Sequence, residues 1–139
     1  MSADARVEPV AEIATEPLFD MVVDLDPPLD LGDGRILFGA AGGSFTGPRL
    51  RGEVLAGGGD WTWFRPGGAM TLDVRLTLRT HDGALLLMTY GGRRAGDYFR
   101  TTPVFQTGSA DYAWLNDVVC VGSGYLVDGG VAYGVSLVR

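Results

Sequence analysis

Asp60, Asp73, Arg75 and Tyr90 are the residues of this chain whose types and spacing could do chemistry together. A carboxylate can accept a proton, and a fixed guanidinium can stabilise the enolate, carboxylate or carbonyl oxygen that results. A phenol can donate or orient. The stretch that must position them is Met70 to Tyr90, where Met70, Leu72, Val74, Leu76 and Leu78 alternate with Thr71, Asp73, Arg75, Thr77 and Arg79. Period two is the signature of a strand with two faces. A four-residue turn over Pro66–Ala69 puts Arg65 opposite Met70 and Asp60 opposite Arg75. A two-residue turn at Asp82-Gly83 puts Arg75 opposite Tyr90. These registers line up Asp60, Arg75 and Tyr90 with Asp73 alongside, and send Trp61, Trp63, Leu72, Val74 and Leu76 to the other face.

Which face turns inward is open at this level. Antiparallel strands usually show a polar face to water, which makes the row an outer ladder of salt bridges with Trp61 and Trp63 in the core. Against that, Leu86 and Met88 share the Arg75 face in this register and require cover. The functional alternative is a row lining a lumen. Phe45, Trp61, Met88, Tyr98, Arg100, Trp114 and Asn116 are then candidate substrate-binding residues, since rings with a few polar groups suit a small cyclic ligand. Several of these rings serve equally well as ordinary core.

Composition narrows the chemistry. All 11 basic residues are arginine, which excludes Schiff-base lysines and the P-loop lysine. One histidine, His81, in a turn, leaves no multi-histidine metal site, and the single Cys120 allows no intrachain disulfide and reads as a small buried residue. We expect no metal and no cofactor. Nine of the 17 acidic residues fall before residue 35, so the acidity sits near the N-terminus and the body is close to neutral. That balance argues against nucleic acid. The apolar runs are too short to span a bilayer as helices, and the expectation is a soluble cytoplasmic protein without membrane contact.

Residues 1–17 read as a flexible acidic arm, interrupted by Pro9, and residues 18–139 as one domain. Leu18–Leu25 opens the strands and a turn-rich segment, 26–34, follows. Gly42–Pro48 and Gly57–Gly59 suit bulges and barrel corners, since neither opens a helix as a phosphate loop must. A Gly/Arg loop is expected at 91–96 and short strands beyond it, including Tyr112–Leu115 and Val118–Val121. Nine or ten short strands with 22 glycines predict an all-β fold. A single closed antiparallel β-barrel is preferred because closure removes exposed edges.

Gly42-Gly-Ser-Phe-Thr-Gly-Pro48, Gly58-Gly-Asp-Trp61, Leu72-Asp-Val-Arg75, Asp82-Gly83, Tyr98-Phe-Arg100 and Trp114-Leu-Asn116 together resemble the domain-of-unknown-function family 3237, small bacterial and fungal barrel proteins. The resemblance spans residues 18–138 and implies a lipocalin-like or allene-oxide-cyclase-like barrel, often a homodimer or higher homo-oligomer. It also implies that Asp60, Asp73, Arg75 and Trp114 are cavity residues, and it supplies no reaction. The resulting expectation is a cofactor-independent isomerase, cyclase or lyase acting on a carbonyl-containing cyclic or aromatic substrate. A non-catalytic barrel carrying a small apolar ligand is the alternative, and an interaction protein with a filled core a third.

Overall fold

The computed structural model describes residues 4–139. Eleven strands form among them: β1 (Thr15–Leu25), β2 (Leu29–Gly32), β3 (Arg35–Thr46), β4 (Arg51–Val54), β5 (Gly59–Phe64), β6 (Met70–Thr80), β7 (Leu85–Ala95), β8 (Tyr98–Thr101), β9 (Val104–Gln106), β10 (Cys120–Val127) and β11 (Gly130–Val138). All pairings are antiparallel, and they close into an eight-position barrel. β4 and β5 share one position between β3 and β6. β8 and β9 share another, end to end along β7. β2 is an extra hairpin on β3. The closed all-β barrel expected from the sequence is therefore the fold.

Several boundaries differ from expectation. β1 starts at Thr15, inside the expected arm, because Thr15–Pro17 pair with β11 and the Arg139 guanidinium holds the Glu16 carboxylate at 2.8 Å. Pro17, which has no N–H to give, sits where the register shifts. Residues 4–14 carry no strand or helix, and residues 1–3 of the expected arm lie outside the described residues. β2 occupies part of the segment read as turns. β3 and β7 run straight through the glycines of the expected corner at 42–48 and the expected loop at 91–96. Tyr112–Leu115 lies not in a strand but in a 3-10 helix, Ala110–Asp117.

That helix closes one end of the barrel. Leu115 is fully buried in the core, and the Tyr112 hydroxyl donates to the Asp82 carboxylate at 2.9 and 3.1 Å. Above it, Leu18, Met21, Phe45, Leu76, Leu78 and Met88 fill the closed half, with Phe19 against Phe45 and Phe105. Cys120 is also buried, and burial pushes its thiol up to about 11. It stays protonated and unreactive at neutral pH, as expected for a small core residue.

Asn116 anchors the helix to the chain before it. Its Oδ1 accepts from the Thr107 N–H at 2.8 Å and its Nδ2 donates to the Thr107 carbonyl at 3.0 Å. Asn116→Ala leaves both backbone groups to water and is expected to cost about 1 kcal/mol. The urea midpoint should fall with no change in m-value.

Candidate active site

The two hairpins that flank β6 decide what faces inward. Arg65 N–H donates to the Ala69 carbonyl and Gly68 N–H to the Arg65 carbonyl, so the β5–β6 loop holds three residues, not four. Thr80 N–H donates to the Ala84 carbonyl and Gly83 N–H to the Thr80 carbonyl, so the β6–β7 loop also holds three, not two. Both are turns that end on a left-handed glycine, Gly68 at φ 94° and Gly83 at φ 90°. Each turn slides β6 by one residue relative to the expected register. A slip of one residue exchanges the two faces of a strand.

The expected row is corrected accordingly. Asp60 lies opposite Val74, and Val74 opposite Tyr90. The two slips cancel between the outer strands, so Asp60 and Tyr90 stay in one row while β6 shifts beneath them. Arg75 and Asp73 turn to the exterior, where both are exposed, and Leu72, Val74 and Leu76 take the inside. Asp73 still touches the site through its backbone. Its N–H donates to Asp60 Oδ1 at 3.0 Å, at the point where the β5–β6 pairing skips Trp61 and Thr62.

A cavity of about 170 Å³ occupies the half of the barrel away from the helix. Asp60 and Tyr90 line its floor with Phe38 and Val74. Its upper wall is the row Phe64, Met70, Arg94 and Phe99, where Phe64 faces Met70, Met70 faces Arg94, and Arg94 faces Phe99. The half-exposed Phe64 and Arg94 and the exposed Leu126 mark the mouth.

The electrostatics of the floor follow from burial. Removal from water raises the Asp60 pKa, while the Asp73 N–H lowers it, a smaller effect. Nearby Thr62 also favours the ionised form, yet its buried Oγ1 has no partner in hydrogen-bond geometry. Burial likewise raises Tyr90 strongly, with the charge of neighbouring Tyr133, the bond to its hydroxyl and the charge of Asp60 adding to the effect. The two tyrosine rings meet edge to face at 5.4 Å. Tyr90 therefore keeps its proton, and Asp60 is the group that can change state.

The other expected binding residues lie elsewhere. Phe45 and Met88 are closed-half core, and Trp61 and Tyr98 are surface residues, 44% and 60% exposed. Arg100 is exposed and packs on Tyr98 at 5.2 Å. Trp114 lies in the closing helix, stacked under Arg49 at 3.7 Å, and Asn116 anchors that helix. The residue missed from sequence is Arg94. The segment 91–96 reads as a loop because of its glycines, but parity would have found it: counting in twos from Tyr90 along a continued strand reaches Arg94 on the same face.

Among the described residues no group of three or more His, Cys, Asp or Glu side chains is placed to hold a metal ion, and no helix is long and apolar enough to cross a membrane.

Residues 13–97 and 95–138 match the family described as "Protein of unknown function (DUF3237)". A UPF0311 protein of Clostridium acetobutylicum is 29% identical, over 81% of this chain and 85% of its own. Another from Rhodopseudomonas palustris is 31% identical, over 68% and 74%. Among solved structures, a β-barrel like protein of Acinetobacter baumannii superposes with a TM-score of 0.88 at 32% identity, covering 94% of this chain and 99% of that one. An enzyme from Penicillium herquei superposes with a TM-score of 0.77 at 25% identity, covering 96% and 99%.

Proposed function

The chain belongs to the DUF3237 family, and from that premise we propose that it is a cofactor-independent enzyme of the isomerase, cyclase or lyase type, moving a proton on a carbonyl-containing cyclic or aromatic substrate held in the barrel cavity. The observation that carries this reading is the Asp60 carboxylate, placed on the floor of a mostly apolar cavity with its pKa raised by burial. A carboxylate whose pKa is raised by burial is a stronger base than one in water. Asp60 takes the proton next to the substrate carbonyl and delivers it elsewhere on the same molecule. The Asp73 N–H fixes the carboxylate, and Tyr90, always protonated, orients the substrate. The enzyme from Penicillium herquei lends the reading support, since it is an enzyme of similar fold.

The direct test is hydrogen–deuterium exchange at the α-carbon of single-ring ketones such as cyclohexanone in D₂O, followed by proton NMR. Exchange at least about tenfold faster with protein than in buffer is expected, a small part of what a placed base can supply. A ketone that binds the cavity and exchanges only at the buffer rate would leave a carrier and no enzyme.

A further inference from the structure

We propose that Arg94 is the residue that recognises the ligand: it holds an anionic group of the ligand, set apart from the reacting carbonyl, just inside the mouth while a single ring, or a group of that bulk, fills the cavity down to Asp60. The proposal deepens the reading of the cavity given above and rests on it for the role of Asp60 alone.

The argument begins with what Arg94 touches. Its NH1 reaches the Met70 sulfur at 3.6 Å, and its guanidinium lies 5.8 Å from the centre of the Phe99 ring. Sulfur is a weak acceptor and a ring face accepts no strong hydrogen bond. Among the described residues Arg94 has no ion pair and no oxygen acceptor, although a half-buried guanidinium carries five donors in a planar fork. The soft contacts hold the side chain in place and leave the fork for an incoming oxygen. A carboxylate meets that fork with two parallel hydrogen bonds.

Position supports the same assignment. Arg94 lies four residues along β7 from Tyr90, about 13 Å of strand at the usual rise. The cation is therefore at the entrance, and the titrating carboxylate is at the floor. An anionic oxygen placed beside Asp60 would be repelled once Asp60 ionises, and at Arg94 it is attracted. Volume limits what lies between them. An apolar cavity of about 150 Å³ accepts benzene, so 170 Å³ accepts one ring, and any larger substituent must project past Leu126.

Benzoate and toluene are suitable probes because they share a ring and differ in the anionic group. Both are titrated into the full chain by NMR. Arg94→Gln is expected to weaken benzoate about tenfold to a hundredfold, the loss of one charge-assisted contact, and to leave toluene unchanged. Arg75→Gln, on the outer face, is expected to change neither. Benzoate binding equally well to Arg94→Gln and to wild type overturns the proposal, as does its loss in Arg75→Gln. If Arg94→Gln loses toluene as well, the decision passes to the wild type, where the Arg94 Nε–H resonance must move with benzoate and stay with toluene. A resonance that ignores benzoate overturns the proposal. None of these measurements involves turnover. Absent ketone exchange with Arg94-dependent benzoate binding removes the proton-transfer reading only, and the converse removes the Arg94 assignment only.

Discussion

Asp60→Asn is expected to lower proton transfer in the cavity by roughly 10²–10⁴-fold while making the folded barrel more stable at neutral pH. Both effects come from one physical fact. Burial raises the Asp60 pKa in the folded state, so the folded barrel binds that proton more tightly than the unfolded chain does. The sign follows from linkage. Below the unfolded value of 3.8 the carboxyl is neutral in both states and carries no such penalty. As pH rises through the window between 3.8 and the raised value, the wild type loses stability that the variant does not. Asparagine keeps an oxygen to accept from the Asp73 N–H and has no charge to bury. Thermal midpoints measured from pH 3 to 8 should separate progressively with the variant higher, while exchange of ring ketones falls toward the buffer rate. A variant less stable than wild type at pH 8 would sink the claim that Asp60 is held at a cost in stability.

Gly43→Val is expected to have the largest effect on folding. Gly43 sits in mid-β3 at φ 141°, paired with Val23, and a Cβ there would run into the Val22 carbonyl oxygen of β1. A side chain thus meets strained backbone and a rigid main-chain neighbour together. The barrel opens at the β1–β3 seam or gives up the pairing, at a cost of about 3 kcal/mol or more. Gly57→Ala is the control: its φ is 100°, but nothing lies within 4 Å of a Cβ. Backbone strain alone should cost about 1 kcal/mol there. Urea denaturation of the two variants would separate strain from collision, and similar losses would show that the seam yields easily.

Much of the architecture is legible in the residues. The alternation of Met70 to Thr80 marks a two-faced strand, and its apolar half is buried without exception. Glycine density was a poorer guide, because a closed barrel needs glycine inside strands as well as between them. That is why Arg94, two residues beyond Gly92, reads as a loop residue while lying on a strand. The site was half legible. The expected registers put Asp60 and Tyr90 in one row, as the pairing does, but through Arg75, which faces away. Pro66-Gly67-Gly68 and His81-Asp82-Gly83 each end on glycine, the mark of a three-residue loop. Reading that mark twice would have put Val74 between Asp60 and Tyr90.

The 3-10 helix across the barrel floor, with Leu115 plugged into the core, makes the molecule a blind cup and not a tunnel. A cup has one doorway. Whatever enters past Arg94 must leave past it, and traffic is single file. There is room for about one ring at a time, so the kinetics expected of such a vessel are those of a single reactant, with product competing directly for the same entrance.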